Sequence, residues 1–482
     1  MIKELLASIE REHPELVSRC RIANTNTLRE DYEQVVVWLR RAFRVDSNPA
    51  IELGLLLAER FEKPLLVYSE IYEAEPYLSF RHAAFAYRAN ELLYKSLAAH
   101  GINHRFSLVS KDTKGHGPLG YAAERACVLI TDDVVSPFEI KRLEIFAQQT
   151  SAAVLAVDTT RLVPHALLKG RLLQTKAFRA ATSHLRDDCL AARNETASKL
   201  SLSTINTLPA ECEDAFPAWE DCEKAFATWD IQSTVKPSKE HPASKDELDT
   251  RLSILETDFA KRYRATRNNP ALLRSTSELS PHIRYGMTSP WEILNKIEQS
   301  GVSRSDSWKF RDELLTWREW SHYQLAQDPM LTRYESLPKS ARKTLDEHRH
   351  DKRELILPKE DLFYGRTPDL TWNAAQHVWR ETGWLHNNLR MYWAKQFLRW
   401  TETPEQAWEY ACEFNNCQSL DGLEPATYLS IRWAFGDARP AYSEAPVYGW
   451  VSRKSDSALL KRAGFIKWRA SVLERYGSSN TN

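Results

Sequence analysis

Five short apolar runs in the first third of the chain restrict its fold more than any other feature of the sequence. Each run has the length and the β-branched character of a buried strand, and helical patterns such as residues 51–61 separate one run from the next. Alternation of this kind is typical of a parallel sheet with helices on both faces. We therefore predict a doubly wound, Rossmann-like α/β domain whose strands cover residues 35–39, 64–69, 104–109, 127–132 and 152–158.

The strand-like runs end before residue 162, and from residue 247 onward only helical patterns recur. Residues 162–246 lack sustained periodicity and end in a polar stretch punctuated by proline, which is typical of a linker or a wrapping loop. A chain of 482 residues is also long for a single core. The prediction is an α/β domain over residues 1–161, a linker over 162–246 and an all-helical domain over 247–482.

The distribution of charge limits how this protein can bind nucleic acid. Its 65 basic and 65 acidic residues leave no formal net charge, so the molecule as a whole does not attract phosphate groups. The segment 431–475 is an exception, because its basic residues outnumber its acids. These basic residues are Arg432, Arg439, Arg453, Lys454, Lys461, Arg462, Lys467, Arg469 and Arg475. A local patch of this kind is what a neutral protein needs to hold DNA phosphates.

The cysteines and the apolar residues indicate where such a protein works. The seven cysteines include no C-x-x-C pair, which argues for reduced thiols and against a zinc site or a disulfide framework. No apolar run reaches the length of about 18 residues that spans a membrane, and the N-terminus lacks a signal-peptide core. We expect no metal and no membrane, and a location in the cytoplasm or nucleoid, or in the nucleus of a eukaryote.

Tryptophan is concentrated in the predicted helical domain, and two of these residues share one helix face. Trp393 and Trp400 are seven residues apart, so their side chains lie about 10 Å apart along the helix axis at nearly the same azimuth. This separation suits stepwise electron transfer between indoles, and it suits ordinary core packing equally well. Spacing alone leaves both interpretations open.

Hydroxyl groups and one candidate ion pair suggest a site for an anion. Ser280 and Ser289 each precede a proline and are predicted N-caps of helices. Hydroxyls at a helix N-terminus can bind a pyrophosphate, although capping alone also explains them. Asp421 lies in a turn and is a candidate partner for Arg390, because a buried guanidinium without a carboxylate is costly.

Several longer segments resemble the photolyase/cryptochrome superfamily, and within it the class II photolyases that act on cyclobutane pyrimidine dimers. The matching segments are RNNP…TSELSPHIRYG, DELLTWREWSHYQLAQDP and TWNAAQHVWRETGWLHNNLRMYWAKQFLRW. The resemblance covers residues 248–449 and is densest over 371–421. The first domain is similar, more weakly, to the antenna domain of this family.

The resemblance implies that the helical domain binds FAD, which is active in its reduced form. The residues that would contact FAD are Tyr263, Thr276, Ser277, Leu279, Ser280, Asn387, Arg390, Asn415 and Asp421. Within this set, the Arg390–Asp421 pair would lie against the isoalloxazine ring and Asn415 beside its N5 atom. Trp393, Trp372 and Trp400 resemble the tryptophan triad that photoreduces the flavin. The resemblance also leaves room for a second, antenna chromophore, whose identity the sequence does not give.

The same resemblance implies a monomer that binds DNA containing a pyrimidine dimer and repairs it with light. Excited reduced FAD would pass one electron to a dimer that has been flipped out of the duplex, which is the activity of a deoxyribodipyrimidine photo-lyase. Glu313, Trp317 and Trp433 match the lesion-binding glutamate and the two aromatic residues that stack on the dimer. The further residues expected on the DNA side are Arg267, Asn268, Arg439 and Arg453.

The resemblance weakens after Asp421, on the side that faces DNA. Where the family has D-G-R-D-P-N-G-Y, this chain has D-G-L-E-P-A-T-Y, and residues 440–452 lack a family tryptophan. An alternative function is therefore a blue-light receptor of the cryptochrome kind that does not repair DNA. Retention of Glu313, Trp317 and Trp433 favours repair, because a receptor has no need of a cavity shaped for a dimer.

Overall fold

The computed structural model describes residues 2–201, 215–437 and 442–477. Its sheet has six strands in the order β1-β6-β5-β2-β3-β4, and every neighbouring pair is parallel except β1 and β6. The strands are β1 (Cys20–Ile22), β2 (Gln34–Leu39), β3 (Leu65–Tyr72), β4 (Asn103–Val109), β5 (Ala126–Asp132) and β6 (Val154–Val157). The five predicted strands are confirmed. Strand β1 was not predicted, because its three residues are too few to form a pattern.

Helices cover both faces of the sheet, as the apolar character of its strands predicts. Val35 and Val37 of β2 belong to the apolar core on one face, and Val36 and Trp38 belong to the core on the other face. The helices of this domain are α1 (Ile2–Glu10), α2 (Pro14–Ser18), α3 (Pro49–Phe61), α4 (Phe80–Ala98), α5 (Gly117–Glu124) and α6 (Pro137–Gln149). The predicted α/β class is therefore confirmed.

The stretch expected to be a linker contains helices. They are α7 (Thr175–Thr182), α8 (Arg186–Lys199) and α9 (Trp219–Thr228). Helix α8 has almost no apolar stripe, which explains why periodicity did not reveal it. Its buried Arg193 instead forms ion pairs with Glu15, at 2.9 Å, and with Glu52. These two ion pairs hold α8 against the α/β domain.

From residue 245 onward the described chain contains helices and no strand. A short 3₁₀ turn, His165–Leu167, lies earlier in the chain, between β6 and α7. The helices from residue 245 onward are α10 (Lys245–Leu255), α11 (Phe259–Thr266), α12 (Ser280–Arg284), α13 (Pro290–Gln299), α14 (Arg304–Asp312), α15 (Glu319–Gln327), α16 (Lys339–Glu347), α17 (Lys359–Tyr364), α18 (Leu370–Thr382), α19 (Asn387–Trp400), α20 (Pro404–Gln418), α21 (Pro425–Ala434), α22 (Ser457–Leu460) and α23 (Phe465–Gly477). A π-helical segment, Glu313–Arg318, joins α14 to α15, and 3₁₀ turns occupy Pro329–Thr332 and Tyr334–Ser336. No helix in the described ranges is both long enough and apolar enough to cross a bilayer.

One of the two predicted N-caps is confirmed and the other is wrong. Ser289 accepts a hydrogen bond from the Glu292 amide at the start of α13, as predicted. Ser280 is not an N-cap, because α12 begins at Ser280 itself and Leu279 takes the N-cap position. The Ser280 hydroxyl instead bonds to the side chain of Asp421. A tertiary hydrogen bond has replaced the local one.

A buried arginine joins the α/β domain to the helical domain. Arg81 of α4 is only 1% exposed and donates to the carbonyl groups of Trp379, at 3.1 Å, and Gln418, at 2.6 Å. These carbonyls lie at the C-terminal ends of α18 and α20, where unpaired acceptors and the helix dipole both favour a cation. Arg81 also donates to the carbonyl of Lys236 at 2.8 Å.

We predict that Arg81→Met lowers the free energy of unfolding by about 3 kcal/mol, because several buried carbonyls then lose a charged donor. The measurement is the urea unfolding midpoint followed by circular dichroism. Arg88→Met, which removes an exposed arginine from the same helix, is the matched control and should leave the midpoint nearly unchanged. Equal shifts in the two variants would contradict this role of Arg81.

Candidate functional site

A cavity of about 290 Å³ lies inside the helical domain, between α12, α19, α21 and the turn that follows α20. All nine residues that the sequence analysis assigned to cofactor binding line it, together with Trp393. These nine are Tyr263, Thr276, Ser277, Leu279, Ser280, Asn387, Arg390, Asn415 and Asp421. Residues that are far apart in sequence therefore meet in one place.

A bidentate ion pair forms one wall of this cavity. The guanidinium of Arg390 donates to the two carboxylate oxygens of Asp421 at 2.8 and 3.0 Å, and its Nε donates to the Leu385 carbonyl. Burial alone would raise the pKa of the Asp421 carboxyl, but Arg390 and the hydroxyls of Ser280 and Ser419 hold that pKa below its usual range. The pair therefore stays charged inside the protein.

The turn that carries Asp421 requires glycine at the next position. A Cβ atom on Gly422 would lie 2.5 Å from the carbonyl oxygen of Asn416, which is closer than packed atoms can approach. The side chain of Asn416 accepts a hydrogen bond from the Leu423 amide and fixes the same turn. This close approach places Asp421 opposite Arg390.

Hydroxyl groups form a second wall of the cavity. Thr276, Ser277 and Ser280 all line it, and the Thr276 hydroxyl is buried without a hydrogen-bond partner. Glu278, between them, has a left-handed backbone with φ of 54° and pairs with Arg251 at 2.7 Å. A buried hydroxyl without a partner is costly unless a ligand binds to it, so this wall fits the polar part of a bound molecule.

The rest of the lining fits a flat, partly apolar ring system. Leu385, Met391, Ala394 and Ile431 contribute apolar surface to the cavity. Asn415 points its amide at the Thr427 hydroxyl, 3.3 Å away. Apolar walls, an orphan hydroxyl and a buried ion pair together suit a ligand with a heteroaromatic ring and a phosphate-bearing tail, which is the composition of FAD.

Three charged residues of the cavity, Glu278, Arg318 and Glu424, were not found from the sequence. Arg318 and Glu424 both line it, and Glu424 Oε2 lies 3.2 Å from His322 Nε2. Burial would raise the pKa of Glu424, but His322 and Arg318 hold it below its usual value. The only signal in the sequence was that Glu424 replaces the aspartate of the family motif.

The three predicted redox tryptophans form a continuous row that begins at the cavity. Trp393 lines the cavity and stacks on Trp372, with ring centroids 5.4 Å apart and an angle of 10° between planes. Trp372 in turn meets Trp400 edge to face at 5.0 Å. The Trp393 indole N–H donates to Gln376 at 3.0 Å. Trp379, which the sequence analysis did not select, also contacts Trp393 at 4.9 Å.

The residues predicted to face DNA lie outside this cavity, on elements that build its walls. Trp317 belongs to the π-helical segment with Arg318 and is 41% exposed, and Trp433 belongs to α21 and is 39% exposed. The helical pattern predicted from residue 247 onward continues through residues 308–324. The structure instead inserts π-helical geometry at Glu313–Arg318, a feature that often occurs at functional sites.

Salt bridges hold the predicted lesion-binding glutamate in place. Glu313 pairs with Arg267 at 2.8 Å and with Lys309 at 2.7 Å. The carbonyl of the exposed Asn268 accepts a hydrogen bond from Asn388, which ties this loop to α19. Arg453 is exposed to solvent. Arg439 lies outside the described residues.

A second cavity, of about 520 Å³, lies between the two domains. Its lining includes Arg41, Tyr77 and Phe138 from the α/β side and Trp408 and Tyr428 from the helical side. It contains none of the residues that were predicted for a site. Within the part of the chain that the structure describes, no group of histidine, cysteine or acidic residues is arranged to bind a metal ion.

We predict that Asp421→Asn destabilises the protein by about 3–5 kcal/mol near neutral pH, because Arg390 is then buried without a counter-charge. Since the folded-state pKa of Asp421 is lowered, the stability that the pair contributes is present above the unfolded pKa of about 3.9 and disappears as the pH falls through the folded-state value. The measurement is urea unfolding of the flavin-free protein from neutral to acid pH. The gap between wild type and variant should close only in acid.

The control for this prediction is Glu360→Gln, which breaks an exposed pair with Arg366. It should leave the unfolding midpoint close to that of the wild type. A gap for Asp421→Asn as small as that of the control would show that the ion pair does not support the cavity.

Comparison with known proteins finds relatives over most of the chain, although no family model matches it. It is 26% identical over 456 residues to a deoxyribodipyrimidine photo-lyase of Methanothermobacter thermautotrophicus, covering 92% of this chain and 95% of the relative. A protein of the same name from Arabidopsis thaliana is 28% identical over 442 residues, covering 86% of this chain and 84% of that protein.

The fold gives an independent comparison. The crystal structure of a bacterial class III photolyase from Agrobacterium tumefaciens superposes with a TM-score of 0.64 at 17% identity, covering 92% of this chain and 87% of the other. The chain is thus similar in sequence, over most of its length, to two proteins named deoxyribodipyrimidine photo-lyase, and it shares its fold with a photolyase.

Proposed function

We propose that this protein is a class II deoxyribodipyrimidine photo-lyase that uses bound FAD and light to repair cyclobutane pyrimidine dimers in DNA. The observation that carries the proposal is the cavity, where all nine residues expected to contact FAD meet beside Trp393. Full-length relatives that are named for this activity support it. The class assignment rests on the segments around WNAAQ and LRMYWAK, which form α18 and α19.

The chain's own residues divide the work of holding the cofactor. Thr276 and Ser277 would donate to its phosphates. The Arg390–Asp421 pair, to which the Ser280 hydroxyl donates, would face its ring. Asn415 would place an amide near the ring, where it stabilises the reduced form. When bound, reduced FAD supplies a light-driven one-electron donor. The protein would position the cofactor, exclude water from it and surround it with fixed charges.

The exposed tryptophans would receive the lesion. A dimer inside a duplex is out of reach, so it has to be flipped out, and its weak pairing lowers the cost of extrusion. Trp317 and Trp433 keep enough exposed surface to stack on it. Glu313, held by Arg267 and Lys309, would accept a hydrogen bond from a base edge. Arg432 of the predicted basic segment is buried and pairs with Asp437, so it is not available to DNA. The phosphates would be held by the exposed basic residues of that segment, which are Arg453, Lys461, Arg462, Lys467 and Arg475.

The decisive experiment is anaerobic illumination of the reduced, FAD-loaded protein with an oligonucleotide that contains one thymine dimer. We expect light to restore the two thymines, and no repair in the dark. A protein that binds and photoreduces FAD but never restores thymines would instead be a light receptor. That outcome would overturn the repair proposal while leaving the cavity assignment intact.

We predict that Trp393→Phe reduces photoreduction of bound oxidised FAD to a small fraction of the wild-type rate, because the row of indoles loses its member at the cavity. Dimer repair by chemically reduced protein should persist, since that reaction does not use the row. Flavin absorbance under illumination measures the first effect. Trp408→Phe removes another buried indole from the same core and should photoreduce normally. Normal photoreduction in Trp393→Phe would assign these tryptophans to packing alone.

We predict that Trp317→Ala or Trp433→Ala weakens binding of dimer-containing DNA by about 5- to 150-fold, because base–aromatic stacking contributes roughly 1–3 kcal/mol per base. Binding of undamaged duplex should change little, since it depends on phosphate contacts. Fluorescence anisotropy with matched labelled duplexes measures both affinities. Trp229→Ala, in the connecting region, is the control. Equal affinity for dimers in wild type and both variants would contradict these roles.

A further inference from the structure

A buried lysine lies against the exposed indole of Trp433. Lys395, on α19, is 1% exposed, and its Nζ atom is 4.8 Å from the centroid of the Trp433 ring. An ammonium at this distance from an indole is attracted to the ring, and the attraction is strongest when water is excluded. Trp433 therefore has a cation against its ring while much of its surface stays open to solvent.

The ammonium of Lys395 also joins three separate elements. Its Nζ donates to the carbonyl of Ala434 at 3.2 Å, to the carbonyl of Ser452 at 2.9 Å and to the Ser452 hydroxyl. Ala434 is the last residue of α21, where free carbonyls and the helix dipole favour a cation. Ser452 lies at the end of the segment 442–452, which precedes α22 in the chain. One charged group thus connects α19, the end of α21 and this segment.

No carboxylate in the described ranges forms an ion pair with Lys395, which is unusual for a buried charge. Lys454 is the charged group that acts on it, and as a second cation it adds to the effect of burial, which lowers the pKa of Lys395 to about 7. An apolar side chain of similar length would fill the same space without the cost of burying a charge. The lysine is therefore poorly explained by stability alone.

We propose that Lys395 is a positioning residue for the lesion: its charged form holds Trp433 and the segment 442–452 in the arrangement that receives a flipped pyrimidine dimer. This inference rests on the proposed function. A neutral amine keeps only two N–H donors and loses the attraction to the indole. Preference for damaged DNA should therefore be full below the pKa of Lys395 and decline as the pH rises through it.

Other titratable groups face the same region and have to be separated from Lys395. Burial lowers the pKa of Lys454 to about 8, and hydrogen bonds to Asp351 and Glu444 raise the pKa of His348, which contacts the segment 442–452. Tyr448 donates its hydroxyl to the Lys395 carbonyl, but burial raises its pKa to about 12, beyond the range of interest.

Three arginines lie near the same elements. Arg432 of α21 pairs with Asp437 at 2.7 Å, and Arg399 and Arg453 act on Tyr448. Only substitution of Lys395 itself should abolish the predicted dependence on pH.

The test compares affinities of the FAD-loaded protein, in the dark, for a duplex with one thymine dimer and for its undamaged match. Measurements at about pH 6 and about pH 8.5, at constant ionic strength, bracket the charged and neutral forms of the lysine. We expect the ratio of the two affinities to be about 3- to 30-fold higher at the lower pH in the wild type.

The variants separate the lysine from its neighbours. Lys395→Met should show at both pH values the low ratio that the wild type has at high pH, with unchanged affinity for undamaged DNA. Lys395→Arg stays charged and should keep the high ratio at both pH values. Lys454→Met should weaken binding to both duplexes and keep the decline of the ratio, moved to higher pH because a cation that lowers the pKa of Lys395 is then missing.

A Lys395→Met protein with the affinity ratio and the pH dependence of the wild type would overturn this inference and leave the repair function standing. A wild type that never prefers dimers at either pH would overturn the repair function, and the inference with it. Unchanged binding of undamaged duplex and normal flavin absorbance in Lys395→Met show that the variant is folded.

Discussion

The ion pair between Arg390 and Asp421 holds together the elements that form the cavity of the helical domain. It joins α19 to the turn after α20, where the Ser419 hydroxyl also donates to Asp421. The Ser280 hydroxyl adds α12 to the same cluster. Neither partner can be buried alone without a large cost, so the distance between these elements is fixed by charge. Arg390 and Asp421 both line the cavity, so their pairing fixes two of its walls relative to each other.

The same helices carry the tryptophan row, so the cavity and the row share one framework. Trp393 follows Arg390 by one turn of α19, and Trp372 of α18 stacks on it. The α/β domain supports this framework through Arg81, which binds carbonyls at the ends of α18 and α20. The α/β domain therefore helps to position the helices that form the site, in addition to any role it has with a second chromophore.

Most of the fold and the inner part of the site could be predicted from the sequence. Five of the six strands could be predicted, because a parallel strand that is buried on both faces appears in the sequence as a continuous apolar run. The motif around LRMYWAK led to the residues of the cavity, which the structure brings together. Their roles toward a cofactor and DNA remain proposals.

Other features could not be predicted, for reasons that are physical. Helix α8 is held by the buried charge of Arg193 and has no apolar stripe to reveal it. The Ser280 hydroxyl bonds to Asp421 and does not cap α12. Capping rules consider only neighbours in sequence, so they could not predict a partner 141 residues away. The contact of Lys395 with Trp433 likewise depends on packing between helices that sequence spacing does not encode.

The most direct test of the account is a crystal structure, grown and frozen under red light, of the FAD-loaded protein with a duplex that contains one thymine dimer. The account predicts the isoalloxazine ring in the cavity between Trp393 and the Arg390–Asp421 pair, and a flipped dimer in contact with Trp317 and Trp433. Flavin bound elsewhere, or a dimer left stacked in a duplex that does not touch these two tryptophans, would contradict it.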